Sequence, residues 1–338
     1  MAPRVFVSQY VFPEALAELR DAGLDVDARS ADTPLSYDEL KEAVRDAAGL
    51  ICLLTDRIDA ELLAEAPELR VVANVAVGFD NIDVAAATAA GVAVSNTPGV
   101  LTDATADLAW SLILATARRI PEGDAFTRAG RYTHWKLDQA QLGADVYGQS
   151  LGVLGFGQIG QAVARRAVGG FDMRVRYHDA RRLDPRRERE LGVTYAELDE
   201  LLATSDFLSV HAPLTEQTWH AIDAVALAKM KPSAILINTA RGPIVDEAAL
   251  ADALAAGTIA GAGLDVYEDE PAVHAGLLAQ RERVVLLPHL GSATVSTRRR
   301  MAEIAVGNVI DALTGTRPRT LVNPEVHDHS SVHTNKGV

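Results

Sequence analysis

Apolar and polar positions alternate along the chain in blocks of two kinds. Short apolar runs, RVFVS, LDVDA, GLICLL, LRVVANV and VAVSN, recur between Arg4 and Asn96. The stretches between them, PEALAELRDA, YDELKEAVRDA, DAELLAEA and DVAAATAAG, carry apolar residues at helical spacing. The runs predict strands and the intervening stretches predict helices. Alternation of this kind builds a parallel sheet covered on both faces by its crossover helices. A complete α/β unit is therefore expected by Asn96.

A second unit of the same kind is expected further on. DATADLAWSLILATARR, Asp103 to Arg119, predicts a long helix with an Asp at its start, apolar enough to be buried and to join two domains. PEGDAFTRAGRYTHWKLDQAQLGADVYGQ then mixes a helix with an irregular segment that carries Trp135. SLGVLGFGQIG, FLSVHAP, AILINTARG, AGAGLDVYEDEP and RVVLLPHLGSAT follow, each an apolar run ending in polar, Gly or Pro residues. Such ends are expected where a doubly wound sheet presents ligand-binding loops at its carboxyl edge. Thr294 to Leu313 predicts another long helix, and LVNP closes the ordered chain. Residues 327–338 are polar and expected to fray; His327, His329 and His333 there lack the carboxylate or cysteine framework of a metal site, so no metal is expected.

One stretch has a specific chemical meaning. Ser150 to Leu154 predicts a strand that runs into Gly155, Gly157 and Gly160 at the spacing G-x-G-x-x-G, followed by the helical pattern QAVARRAV. The three glycines permit a tight turn, close approach of backbone to a pyrophosphate, and close helix–strand packing. The helix start offers free N–H groups and a positive dipole end to phosphates. Met173 to His178 predicts the next strand, and Asp179 ends it, 19 residues past Gly160. An acidic residue about 20 residues on accepts hydrogen bonds from ribose hydroxyls. Strand, turn, helix, strand and Asp form a complete dinucleotide-binding unit.

Composition narrows the partners. The 338 residues suffice for two cores, and the net charge is −14, from 46 acidic against 32 basic residues. That balance argues against nucleic acid or an anionic membrane as partner, and an anionic substrate would need its own local positive charge. Cys52 is the sole cysteine, so neither an intrachain disulfide nor a cysteine-built zinc site is expected, and in ICLL it reads as a buried small hydrophobe. The N-terminus lacks a secretory pattern and no apolar run reaches about 18 residues, so a cytoplasmic protein is expected.

Three polar residues end successive apolar runs of the second unit: Arg241 in NTARG, Glu270 in YEDEP and His289 in LLPHLGSAT. All fall on the carboxyl edge that carries the glycine turn. Hydride transfer from a reduced nicotinamide to a carbonyl leaves charge on oxygen and needs a proton donor, a task suited to histidine. A nearby carboxylate favours the imidazolium. An arginine can grip a substrate carboxylate through two hydrogen bonds and polarise the carbonyl.

The ordered series CLLTDRID, NVAVGFDNID, NTPGVLTDATADLAW, DVYGQSLGVLGFGQIGQAVARR, NTARGPIVDE, AGLDVYEDEP and PHLGSAT resembles the D-isomer-specific 2-hydroxyacid dehydrogenase family, most closely its glyoxylate/hydroxypyruvate reductase branch. The resemblance runs from about Val5 to Pro324. It implies an α/β protein of two doubly wound, Rossmann-like domains with the active-site cleft between them. Residues 1–98 and 290–338 would form a discontinuous substrate-binding domain and 99–289 the NAD-binding domain. Arg241 would bind the substrate carboxylate and carbonyl, His289 would donate or accept the proton, and Glu270 would pair with His289. The N–H groups of Val77 and Gly78 would grip the carboxylate, and Leu53 would line the pocket. Cofactor contacts would come from Thr105, Gly155, Gly157, Gln158, Ile159, Gly160, Asp179, Pro213, Thr218, Thr239, Ala240, Arg241, Asp265, His289 and Gly291. Trp135 matches a tryptophan that reaches the neighbouring subunit's active site in this branch, which implies a homodimer.

Asp179 would repel a 2′-phosphate and favours NAD, whereas Arg181 and Arg182 could accept one and leave NADP open. Within the superfamily, formate dehydrogenases have a longer N-terminal region and lack this Arg–Glu–His set. Phosphoglycerate dehydrogenases often add a regulatory domain, although short forms exist. Phosphite dehydrogenase shares the DRID and GFDN features but has a lysine where this chain has Val77. Corepressor relatives that sense NAD can keep all three polar residues. They differ by lacking turnover.

Overall fold

The computed structural model describes residues 2–30 and 33–326. Its first strands are β1 (Arg4–Val7), β2 (Asp25–Ala28), β3 (Gly49–Cys52), β4 (Val71–Asn74) and β5 (Ala93–Ser95). They pair in parallel in the order β2-β1-β3-β4-β5. The helices α1 (Pro13–Asp21), α2 (Tyr37–Val44), α3 (Ala60–Glu65) and α4 (Val84–Ala89) connect them. Polar side chains set where three of these helices begin: Ser36 and Glu39 form a reciprocal cap on α2, and Asp59 and Asp83 cap α3 and α4. β3 and β4 are buried along their whole length, as unbroken apolar runs require, while the edge strand β2 alternates toward solvent.

The chain continues through α5 (Thr102–Ala117), α6 (Ile120–Arg128), β6 (Ser150–Leu154), α7 (Gln158–Phe171), β7 (Arg174–His178), α8 (Pro185–Leu191), β8 (Val193–Tyr195), α9 (Leu198–Thr204), β9 (Phe207–Val210), α10 (Ala224–Lys229), β10 (Ile235–Asn238), α11 (Glu247–Ala256), β11 (Gly261–Leu264), α12 (Ala275–Ala279) and β12 (Val284–Leu286). A second parallel sheet results, in the order β12-β11-β10-β9-β6-β7-β8. The strand order reverses at β6 and β9, the switch point beside which ligands bind in open α/β sheets. The apolar α5 packs on α7, β10 and β11. Its Trp110 stacks on Phe171 with ring centroids 4.2 Å apart and donates through its indole N–H to Val163 O at 3.2 Å.

α13 (Val295–Leu313), capped by Thr294, then packs on β3, β4 and α1. Its Ala302, Ala305, Val306 and Val309 share one core with Val5, Val7, Ile51, Val71 and Ala73. Beyond it, the fully buried Asn323 takes the Val94 N–H at 2.7 Å and donates to Val92 O at 2.9 Å, so its side chain behaves as one more peptide unit beside β5. The chain thus forms two compact units, Met1–Leu101 with Thr294–Val338, and Thr102–Ala293. Both are α/β with wholly parallel sheets, as the alternating pattern predicts. The strands and long helices named from sequence are all present, within a few residues of the expected ends. The last dozen residues, with His327, His329 and His333, lie outside the described residues.

The glycine turn shows how tightly one helix is seated. Gly155 has φ +88°, and a Cβ there would lie 2.2 Å from Ala212 N. A Cβ on Gly160 would lie 2.3 Å from Gly155 O, so α7 approaches β6 as only glycine permits. Gly169, in the same helix, has no atom within 4 Å of an added Cβ. Gly160→Ala is expected to cost about 1–3 kcal/mol through overpacking. Gly169→Ala should gain up to about 1 kcal/mol from helix propensity. Thermal denaturation of both variants checks this; a Tm for Gly160→Ala at or above wild type would refute the close seating.

Candidate active site

The carboxyl edge of the second sheet collects the expected residues. β10, β11 and β12 are neighbours in the sheet, and Arg241, Glu270 and His289 lie in the loops that follow them. Asn238, buried at the end of β10, folds the first of these loops: its side chain accepts the Ala240 N–H at 3.0 Å and donates to Arg241 O at 2.8 Å. Gly242 then abuts the next loop so closely that a Cβ would lie 1.9 Å from Tyr267 C and O. That loop is tied back in turn, by Tyr267 Oη donating to Leu287 O at 2.9 Å and by Glu268 N donating to Glu247 Oε1 at 2.6 Å.

Glu270 accepts the Tyr267 N–H on Oε1 at 3.0 Å and pairs through Oε2 with His289 Nδ1 at 2.8 Å. Burial opposes ionisation of Glu270, but the His289 hydrogen bond and charge, the Tyr267 N–H and the Arg241 charge outweigh it and hold the carboxyl below the usual range. Arg241 is therefore within electrostatic reach of the pair. The His289 and Glu270 side chains are 32% and 34% exposed, open enough for a substrate to reach the ring. With Nδ1 committed to Glu270, Nε2 is the ring nitrogen left for another partner.

Asp265 fixes the backbone that carries His289. Its carbonyl takes the His289 N–H at 2.9 Å. Its buried carboxylate takes the N–H groups of Leu290 and Gly291 at 2.6 and 2.8 Å. Thr105 Oγ1 donates to Gly291 O at 3.2 Å on the other side. His289 consequently sits at φ +54°, in the left-handed region. Burial pushes the Asp265 carboxyl up, against the pull of those N–H groups and of His289.

His211, after β9, carries no signal in the sequence. Burial holds its imidazole pKa down at about 3, so the ring stays neutral. Its Nε2 pairs with Ser209 Oγ at 2.8 Å, and its Nδ1 is buried without a partner. A histidine that never charges is a poor acid.

The expected dinucleotide residues fit that group. α7 begins at Gln158 and Ile159 without a side-chain cap, leaving its first N–H groups for an anion. Gly157 faces open space, with no atom within 4 Å of an added Cβ. Asp179 stands beside the turn, its Oδ2 taking the Phe156 N–H at 2.6 Å and its Oδ1 the Arg181 N–H at 2.9 Å. A cavity of about 350 Å³ lined by Phe156, Gly157, Asp179, Arg181, Arg182, Leu183 and Asp184 adjoins it. Elsewhere on this edge, Thr218 Oγ1 donates to Pro213 O at 2.6 Å, and Thr239 Oγ1 is buried without a partner. Arg182 is already engaged: it donates twice to Glu188, at 2.9 and 3.1 Å, and lies over the Tyr195 ring.

Residues 110–291 match the D-isomer specific 2-hydroxyacid dehydrogenase, NAD binding domain. The chain is 49% identical over 329 residues to the glyoxylate reductase of Korarchaeum cryptofilum, covering 96% of this chain and 97% of that one. The chain belongs to the D-isomer-specific 2-hydroxyacid dehydrogenase family. Two crystal structures are close to it. A Thermus thermophilus protein is 45% identical with a TM-score of 0.87, covering 94% of this chain and 99% of that one. An NADPH-dependent glyoxylate/hydroxypyruvate reductase from Sinorhizobium meliloti, in complex with NADP and malonate, is 35% identical with a TM-score of 0.83, covering 95% and 97%.

For this dehydrogenase family member the remaining expected residues lie as follows. Leu53, half-buried after β3, donates its N–H to Asp56 Oδ2 at 2.8 Å. Val77 and Gly78 lie in the loop after β4. Trp135 is 69% exposed in the irregular segment after α6. Cys52 is buried, as expected, and burial pushes its thiol pKa up. Among the described residues, no three His, Cys, Asp or Glu side chains group as a metal site, and no helix is long and apolar enough to cross a membrane.

Proposed function

We propose that the protein reduces small 2-oxo acids, glyoxylate and hydroxypyruvate first, to D-2-hydroxy acids with NADH, reversibly. The observation that carries this reading is the 2.8 Å His289–Glu270 pair on the sheet edge that also bears the glycine turn. The reduced nicotinamide, when bound, supplies the hydride. His289 gives a proton from Nε2 to the carbonyl oxygen as charge develops there, and Glu270 stabilises the imidazolium through Nδ1. Arg241 holds the substrate carboxylate and polarises the carbonyl, and the N–H groups of Val77 and Gly78 grip the carboxylate. Gly155, Gly157 and Gly160, with the first turn of α7, hold the pyrophosphate, and Asp179 the ribose hydroxyls. Thr105, Pro213, Thr218, Thr239, Ala240, Asp265 and Gly291 complete the cofactor contacts. Initial rates with glyoxylate, hydroxypyruvate, pyruvate and phosphite, each with NADH and NADPH, test this. Phosphite as the preferred substrate, or cofactor binding without turnover, would overturn it.

NAD is the proposed cofactor. The Asp179 carboxylate would meet a 2′-phosphate with like charge, and Arg182 is held by Glu188. Asp179→Ser should raise kcat/KM with NADPH about tenfold, a gain of about 1.4 kcal/mol. A wild type that already prefers NADPH would refute the assignment. A homodimer is also proposed. The segment from α6 to β6 exposes Ile120, Tyr132, Trp135, Leu137, Leu142 and Tyr147, an apolar surface suited to a second copy, with Trp135 reaching the partner's substrate.

A further inference from the structure

In the loop after β4, three successive backbone carbonyls are each taken by a donor of the chain. Ala76 O accepts the Thr97 N–H at 2.8 Å. Val77 O accepts from Asn96 Nδ2 at 2.7 Å, and Gly78 O accepts from Asn74 Nδ2 at 2.8 Å. A trans peptide is planar, with its N–H opposed to its C=O. Fixing the Ala76 and Val77 carbonyls therefore turns the N–H groups of Val77 and Gly78 the other way. Neither N–H has a protein acceptor among the described residues. Neighbouring N–H groups aimed to one side make a concave anion site.

Both asparagines are braced from behind. Asn74, fully buried at the end of β4, also donates to Asn81 Oδ1 at 3.1 Å and accepts the Cys52 thiol at 3.5 Å. Asn81 in turn donates to Leu53 O at 3.1 Å and Asp56 O at 2.9 Å. Asn96 is clasped by Thr320, whose Oγ1 donates to Asn96 O at 2.6 Å and whose carbonyl takes the Asn96 N–H at 3.3 Å. A neutral amide donates to a carbonyl without bringing charge near the anion; an aspartate at either position would repel both.

We propose that Asn74 and Asn96 are positioning residues for the substrate carboxylate: they draw the Gly78 and Val77 carbonyls back so that the loop shows the anion only N–H groups. This rests on the assignment of Val77 and Gly78 to carboxylate binding. Asn96, at the loop's rim, is the residue to change. Asn96→Ala removes the donor, and Asn96→Asp keeps the shape while replacing the donor with a charged acceptor, so a misfolded Ala variant leaves the comparison standing. The readouts are KM for glyoxylate and for NADH, kcat, and the dissociation constant of malonate followed at the Gly78 amide by nitrogen-15 NMR.

Asn96→Ala should raise the glyoxylate KM and the malonate dissociation constant about tenfold, the scale of one lost hydrogen bond, and Asn96→Asp should raise both further. The NADH KM should stay within about twofold, and kcat should change less than KM. Glyoxylate and malonate affinities equal to wild type overturn the proposal. So does a parallel loss in NADH affinity and kcat, which would mark a merely structural role. A wild type that reduces no 2-oxo acid and shows no malonate response at Gly78 overturns the underlying assignment as well, whereas an active wild type with indifferent variants overturns the positioning roles alone.

Discussion

With His289 changed to Ala, reduction of glyoxylate is expected to slow by about a thousandfold, within the range that a positioned general acid contributes. The dissociation constant for NADH should change little, because the glycine turn and Asp179 lie on β6 and β7, away from the strand that leads to His289. The choice of variant matters. His289 stands at φ +54°, where alanine adds backbone strain and asparagine is better tolerated. His289→Asn therefore separates loss of the acid from loss of loop geometry. Both variants should show the same deep fall in kcat. Retention of more than about a tenth of wild-type turnover by His289→Asn would remove His289 from the proton step, since a group worth less than about 1.4 kcal/mol is no general acid.

The second large effect is expected at Arg241. Arg241→Gln should lower kcat/KM for glyoxylate by about a hundredfold to ten-thousandfold, the cost of leaving a substrate carboxylate without its charged partner. Arg241→Lys should recover only part of this, because an ammonium keeps the charge but not the planar fork. In either variant Asn238 still holds the Arg241 backbone carbonyl and Gly242 the contact with Tyr267, while the guanidinium's own bond to Ala240 O, 2.8 Å in the wild type, is lost or altered. Steady-state kinetics with NADH saturating check the prediction. A lysine variant equal to wild type would show that charge alone suffices, and a glutamine variant within threefold of wild type would remove Arg241 from substrate binding.

The glycine turn was legible because its requirement is local: positive φ at Gly155 and close packing at Gly160 admit no other residue. The strand alternation was legible for a similar reason, since buried parallel strands such as β6 and β9 must be apolar throughout. The short edge strand β8 and the helices α8 to α12 carry too few periodic positions to stand out, and only packing against the sheet defines them. The asparagines were least legible. Nothing in the sequence singles out Asn74, Asn81, Asn96 or Asn238, because each works by reaching a backbone carbonyl whose place is set by the folded chain. Asp179 was legible in position but not in full, because its grip on the Phe156 N–H ties the loop after β6 to the end of β7.

The interrupted chain path has a consequence for synthesis. Residues 102–293 form one unbroken unit, which can close as soon as β12 has left the ribosome. The other unit begins first and finishes last. Until α13 and Asn323 emerge, the faces of β3 and β4 that receive α13 stay bare and the edge beside Val92 and Val94 stays unpaired. The growing chain therefore carries an unfinished apolar sheet through most of its translation. In that interval the nascent protein is most open to chaperones, and most exposed to aggregation.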